Sequence, residues 1–331
     1  MSNSLGKAFV TGGSGFVGRN LIGALIERGV IVSALARSDA AIAAVEAAGA
    51  TAIRGDLDSL EAMRDGMTGC DVVFHAAAVV TLWGDPDYFH RINVRGTQNV
   101  IDAAKTAGVT RLVHVSTEAV LAGGKPIVDA DETWPYPRKP AGLYPLTKGL
   151  AEQRVLAANS AQLTTVAVRP PLIWGRGDSS VLPQLIGAVR AGRWTWFDGG
   201  HYAHTTTHVA NVVEGLLCAA ERGRGGEVYF ISDGETADFR DFISAYLNTQ
   251  GVSPGDKSVP MWLARIVASG GEWAWRTFKL KGEPPLPCTV LYVMGQKLTV
   301  NDAKARRELG YEGRMTRQQG LAEMNAAAEI S

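Results

Sequence analysis

Short apolar runs punctuate the first half of the chain at regular intervals. Lys7–Val10, Val30–Leu35, Thr51–Arg54, Asp71–Phe74, Arg111–Val115 and Thr164–Val168 each have the length of a buried strand. Between them, Phe16–Arg28 is an amphipathic stretch, Ala40–Ala48 is alanine-rich, and Asp58–Gly66, Tyr88–Ala107 and the segment from Tyr144 to about Asn159 read as helices. Strands that alternate with helices predict an α/β protein, a doubly wound parallel sheet with helices on both faces. Gly123–Gly142, rich in Gly, Pro, Asp and aromatics, reads as a loop over the site.

Arg169-Pro170-Pro171 closes the sixth strand, because two prolines continue neither a helix nor a central strand. Two regions follow: a domain over 1–170 and a smaller, mostly helical substrate lobe over 171–331. Segments at about 205–232 are expected to return to the first domain. Val181–Arg193, His208–Arg222, Phe239–Thr249, Asn301–Leu309 and Thr316–Ala328 read as helices, and Glu227–Ile231 as a strand. Trp194–Tyr202 and Pro260–Leu280 are the tryptophan-rich pieces and are expected to line an apolar pocket. The second also fits an apolar lid, an interfacial helix in peripheral contact with a membrane, or plain core packing.

Composition narrows the partners. The 331 residues are 46% hydrophobic and 20% charged, with 33 basic against 33 acidic side chains. That balance leaves no electrostatic footprint for nucleic acid. The three cysteines, Cys70, Cys218 and Cys288, lie far apart, without metal-ligand spacing or a disulfide framework. No metal is expected, and a reducing, cytoplasmic setting is. The chain runs almost at once into a strand, so no secretory leader is expected, and no stretch has the apolar length of a membrane span.

Thr11-Gly12-Gly13-Ser14-Gly15-Phe16-Val17-Gly18 stands between a strand and a helix, the setting that a dinucleotide fingerprint requires. Gly12 permits the turn, Gly15 lets backbone amides approach a pyrophosphate at the helix N-terminus, and Gly18 lets helix and strand sit close. At the end of the second strand, Ala36 stands where an acid would bind a ribose 2′-hydroxyl. Arg37 follows, and its fork suits a 2′-phosphate, so NADP(H) is expected over NAD(H), with Asp39 able to erode the preference. Tyr144 and Lys148 stand four apart and share one helical face. A lysine so placed would lower the phenol's pKa and suit it to exchange a proton with a carbonyl oxygen. His75 reads as a half-buried imidazole rather than a catalyst. Asn93, in mid-helix, needs a reason to be there.

Together these residues resemble the extended short-chain dehydrogenase/reductase family, whose fold is Rossmann-type. The resemblance rests on Thr11–Gly18, Gly55-Asp56-Leu57, Ala76–Ala78, Asn93–Thr97, Ser116-Thr117, Tyr144/Lys148 and Arg169-Pro170, which fall in that family's order. Asp131–Pro135 and Ile173-Trp174-Gly175 make the 3β-hydroxysteroid dehydrogenase and dihydroflavonol-reductase branch the more similar one. Bacterial reductases of 2-alkyl-3-oxo acids look similar too. The resemblance implies a catalytic set of Thr117, Tyr144, Lys148 and Asn93, with Ser116 the fallback hydroxyl. Thr117 would bind the substrate oxygen, Tyr144 would be the acid/base, Lys148 would hold the nicotinamide ribose, and Asn93 would fix its helix and a relay water. The implied cofactor site comprises Gly12, Gly15, Phe16, Val17, Gly18, Arg37, Asp56, Leu57, Ala76, Ala77, Ala78 and Pro170, with Tyr144 and Lys148. Relatives of this kind are monomers or homodimers.

Three functions fit these residues: a ketoreductase or alcohol dehydrogenase on a fairly apolar carbonyl or alcohol, a sugar-nucleotide epimerase or dehydratase, and a non-enzymatic dinucleotide sensor. Sensors typically lose the tyrosine or the lysine, and both are here. Dehydratases follow the catalytic Thr with Asp-Glu, whereas Glu118-Ala119 follows here. The lobe offers Arg190 and Arg193 as the candidates for holding a diphosphate. The balance favours the apolar carbonyl.

Overall fold

Seven strands form one parallel sheet: β1 (Lys7–Thr11), β2 (Ile31–Ala36), β3 (Thr51–Arg54), β4 (Val72–His75), β5 (Arg111–Val115), β6 (Thr164–Arg169) and β7 (Glu227–Phe230). Their spatial order is 3-2-1-4-5-6-7 in the computed structural model, which describes residues 5–328. The first four and last three residues of the two expected regions lie outside the described residues. The central strands are buried almost throughout because helices cover both faces, so apolar runs rather than alternation mark them, whereas edge strand β3 has no buried residue. On one face, Phe16–Glu27 packs against Val209–Arg222 over a core that includes Val10, Leu21, Phe74 and Leu216. On the other, Leu60–Met67 packs against Gly96–Thr106, which meets Leu143–Ala157, over Phe9, Met63, Val73 and Leu112. This is the doubly wound, Rossmann-type sheet.

Strand order reverses beside β1: β2 and β3 lie to one side, β4 and β5 to the other. The crevice beyond the carboxyl ends of β1 and β4 is where such sheets bind ligands.

The second half is a mostly helical lobe with strands of its own. Besides Leu182–Arg190, Phe239–Asn248, Met261–Thr277 and Cys288–Val293, it contributes β7 to the main sheet and three strands to a small four-stranded sheet. The fourth strand there is Ile127–Ala130, which pairs in parallel with Leu298–Val300. The expected Gly123–Gly142 loop therefore contains a strand, whose partner comes from far along the chain. Phe239, Phe242, Tyr246, Trp174 and Trp196 form the lobe's own core. Asp233 ties the lobe to the sheet, accepting from Trp174 Nε1 (2.8 Å), Thr206 Oγ1 (2.7 Å), His208 N (2.7 Å) and Asn211 Nδ2 (2.8 Å).

The expected Tyr88–Ala107 helix is also corrected. Pro86–Phe89 and Gly96–Thr106 are α-helical, but His90–Arg95 between them is π-helical. Such turns carry one extra residue and recur at functional sites. This one brings Asn93 round to the loop after β4.

Candidate active site

The glycine loop is built by close approach. Gly12 has φ +73°, and a Cβ there would sit 2.7 Å from the Ala77 nitrogen. A Cβ on Gly18 would sit 2.1 Å from the Gly12 oxygen, so the first helix touches the loop backbone directly. Gly15 is the N-cap of that helix and no side chain caps it, which leaves its first amides facing the crevice. These glycines, with Phe16 and Val17, line a cleft of about 1040 Å³ that also passes Arg37, Asp56, Leu57, Ala76–Ala78, Thr117, Tyr144, Lys148 and Pro170. All the expected cofactor residues thus border one continuous space, and their shape and donors fit a dinucleotide.

Arg37 is exposed at the end of β2. Asp39 pairs with Arg54, Oδ1 lying 2.5 Å from Nη2. The cap of the next helix is Ser38, which accepts from Ala41 N, rather than Asp39. Asp56 Oδ1 accepts from Asp58 N (2.9 Å) and Ser59 Oγ (2.9 Å), fixing the turn after β3.

Asn93 has a clear structural task. Its Oδ1 accepts from Val79 N at 2.7 Å, while Nδ2 donates to Val79 O (3.1 Å) and to Thr147 Oγ1 (3.0 Å). It clips the loop after β4 to the helix that carries Tyr144, and both of its amide protons are used. His75 is held at both nitrogens, Nδ1 2.7 Å from Thr11 Oγ1 and Nε2 2.8 Å from Thr97 Oγ1. Because Thr97 donates to Asn93 O, His75 Nε2 carries the proton. Burial, aided by Lys148, pushes its pKa down to about 3, so it stays neutral.

On Leu143–Ala157 the spacing places Tyr144 and Lys148 on one face, and Glu152 lies one turn further. Lys148 is buried, donates to Val115 O at 2.7 Å, and stands 3.3 Å from His114 Nε2. Burial lowers its pKa to about 8 against the opposing pull of Glu152. The Tyr144 phenol is pushed up, first by burial and then by the Glu118 carboxylate, with only Thr117 opposing. The expected lysine-driven lowering of Tyr144 is therefore corrected: in this arrangement the lysine's charge is turned to the end of β5 and the phenol keeps its proton. Thr117 stands beside Tyr144 and donates to Glu118 Oε2 at 2.7 Å. Ser116 Oγ is buried without a partner among the described residues.

Several site residues were not singled out from sequence. Glu152 repeats the four-residue spacing of Tyr144 and Lys148, a signal that was available. It accepts from Arg169 Nε (2.9 Å), Arg169 Nη2 (2.6 Å) and Tyr136 Oη (2.5 Å) beneath the site. Glu118 was visible only as the residue after Thr117.

Trp194–Tyr202 and Met261–Thr277 do not border the cleft, nor do Arg190 and Arg193. Trp194 and Trp196 turn into the lobe core, and Ala264 and Ala268 seat the long helix on Leu291. The outer half of the cleft is lined instead by Leu82, Tyr88, Ile92, Leu185, Val293 and Met294. The side chains bearing positive charge along it are Arg19, Arg37 and Lys148, all at the dinucleotide end.

The model of the 3-beta hydroxysteroid dehydrogenase/isomerase family matches residues 9–261. The chain belongs to that family. It is 50% identical over 321 residues to a 4-hydroxy-2-methyl-3-oxo-4-farnesyl-3,4-dihydroquinoline-1-oxide ketoreductase of Stigmatella aurantiaca, covering 97% of this chain and 96% of that one. A 2-alkyl-3-oxoalkanoate reductase of Stenotrophomonas maltophilia is 36% identical, with 97% and 99% covered. Among solved structures, MoeE5 in complex with UDP-glucose and NAD superposes with a TM-score of 0.72 at 26% identity, covering 98% of this chain and 100% of that one. The family member described here is an oxidoreductase of the extended short-chain dehydrogenase type.

Proposed function

We propose that this enzyme is an NADP(H)-dependent ketoreductase whose substrate is a ring ketone carrying a long hydrocarbon tail. The observation that carries the reading is the outer half of the cleft, mainly apolar beside Thr81, Ser179, Ser180 and Gln184, and without a cation among the described residues. A tail is stabilised there by burial, at about 25 cal/mol per Å², whereas a sugar diphosphate would lie without a counter-charge. The 50% identity to a ketoreductase named for a farnesylated oxo-quinoline oxide points the same way, and outweighs the more distant likeness to a UDP-glucose complex.

When bound, the dinucleotide supplies the hydride. Tyr144, protonated at neutral pH, delivers its proton to the carbonyl oxygen. Lys148, charged below about pH 8, holds the ribose. Thr117 and the end of β5 fix the phenol against the ketone.

The test is NADPH consumption with a farnesylated 3-oxo-dihydroquinoline oxide, a 2-alkyl-3-oxo acid, a 3-oxosteroid and UDP-glucose. Turnover confined to the nucleotide sugar would overturn the assignment. Arg37→Ala should raise the Michaelis constant for NADPH by about tenfold to a hundredfold, a charge-assisted hydrogen bond being worth about 1.5–3 kcal/mol, while leaving NADH nearly unchanged. Wild-type protein that used NADH with the higher kcat/KM would remove the role given to Arg37.

No described helix is long and apolar enough to cross a membrane. The Met261–Thr277 helix nevertheless presents Trp262, Ile266 and Trp273 outward, each more than 60% exposed. Arg265, Arg276, Lys279 and Lys281 are exposed around this face. Arg276 lies 5.3 Å over the Trp83 ring, next to Leu82 of the cleft. We propose that this face rests on an anionic bilayer, where a hydrocarbon-tailed substrate would be dissolved. The protein should co-sediment with vesicles containing phosphatidylglycerol, and Trp262→Ala with Trp273→Ala should release it. Wild-type protein that stayed in the supernatant at low salt would refute the contact.

A further inference from the structure

One carboxyl group in the cleft has no place in the Thr-Tyr-Lys scheme. Glu118 follows β5, is only 3% exposed, and borders the cleft beside Tyr144. None of the ion pairs among the described residues includes it. Its side-chain partner is the Thr117 hydroxyl, which donates to Oε2 at 2.7 Å. The groups facing it are few. Tyr144 comes from the Leu143–Ala157 helix, and Lys148, one turn on, directs its ammonium to Val115 O. The Cys288–Val293 segment brings Val293, and Met294 beyond it, to the same cleft, neither of them titratable.

Thr117 therefore has one proton and two oxygen neighbours, the Glu118 carboxylate and the Tyr144 phenol. The alternative route to the phenol is restricted, because both amide protons of Asn93 are used by Val79 and Thr147. From this geometry we infer that Glu118 is the proton reservoir of the site, reprotonating Tyr144 through the Thr117 hydroxyl after each ketone reduction. In the relay, Tyr144 Oη loses its proton to the new alkoxide. When Glu118 is protonated the Thr117–Glu118 hydrogen bond reverses, the carboxylic acid donating to Thr117 Oγ1 while Thr117 Oγ1 passes its proton to the phenolate. The resulting carboxylate is reprotonated by hydronium or a buffer acid from bulk solvent, which supplies the one proton that each ketone reduction consumes. Burial supports the role, pushing the Glu118 pKa up to about 7 although Thr117 and the local backbone amides oppose it. An acid near neutrality is well matched to proton transfer at working pH. The inference rests on the Thr-Tyr-Lys reading.

The test is Glu118→Gln, which keeps the shape and a hydrogen bond to Thr117 but supplies no acidic proton. With NADPH and a substrate ketone in rapid mixing, the variant should keep the first-turnover burst, since Tyr144 begins protonated. Its steady-state rate should fall at least about tenfold, within the range of general acid catalysis. Wild-type steady-state turnover should decline as pH rises through about 7, and the variant should lose that limb. The fold is checked by melting. A carboxyl whose folded pKa lies above its unfolded one is destabilising above the folded value, so the variant should melt higher than wild type at pH 8 and near it at pH 4. Steady-state turnover within twofold of wild type, or an unchanged limb, overturns the relay. If Tyr144→Phe is inactive in the same assay, such a result removes Glu118 alone; if Tyr144→Phe is active, the Thr-Tyr-Lys reading itself fails.

Discussion

Tyr144→Phe should lower kcat by about 10²–10⁴-fold, the usual contribution of a positioned acid or base, while NADPH still binds. The argument is one of protonation state. Burial and the Glu118 carboxylate hold the phenol above its ordinary range, so at neutral pH it carries the proton that a ketone oxygen needs. Phenylalanine keeps the ring and its packing and removes only that proton. The dinucleotide end of the cleft, with Gly12, Gly18 and Arg37, is untouched, so NADPH titration followed by fluorescence should give a dissociation constant close to wild type. A Phe variant with near-normal turnover under chemistry-limited conditions would mean that another group protonates the substrate.

Glu152→Ala should be the most damaging single change to stability. Glu152 is fully buried and Arg169 is 2% exposed, with the guanidinium stacked 5.5 Å from both the Tyr136 and Phe230 rings. Removing the carboxylate leaves a buried guanidinium without a counter-charge, a change that costs about 3–5 kcal/mol. Urea unfolding should show a lower midpoint with an unchanged slope. The variant should also shift the alkaline limb of activity downward, because Glu152 alone opposes the burial that lowers Lys148. Glu152→Gln should do less harm to the fold and still shift the limb. A loss of stability below about 1 kcal/mol would show that the pair behaves as a surface pair does.

How much of this could be read in the chain depends on how local each cause is. The glycine loop, Arg37 and the Tyr144/Lys148 pair are defined by spacings of a few residues within one turn or one helix, and the structure brings them to one cleft. Asn93 is different. Its hydrogen bonds reach Val79 and Thr147 from within a π-turn, partners elsewhere in the chain that helical periodicity does not carry, so periodicity alone predicted an ordinary helix. Ile127–Ala130 looked like loop because its strand partner, Leu298–Val300, lies far along the chain. Composition marked the tryptophan-rich segments as apolar. It could not say that Trp196 would turn into the lobe core while Trp262 faced outward, since that choice is made by neighbours. The tuning of Lys148 and Tyr144 was misjudged for the same reason: burial is a property of the assembled site.

The sheet has a consequence for how the chain must be made. β6 is complete at Arg169, but the strand that covers its free edge, β7, begins at Glu227. During synthesis the edge of β6 is expected to stay bare until β7, at Glu227–Phe230, has emerged. Bare edges of this kind recruit other chains. A fragment ending near residue 170 would keep every glycine and both catalytic side chains, and would still be expected to aggregate rather than bind a dinucleotide. A nonsense mutation in the lobe is therefore expected to impair the nucleotide site although it leaves every residue of that site in place.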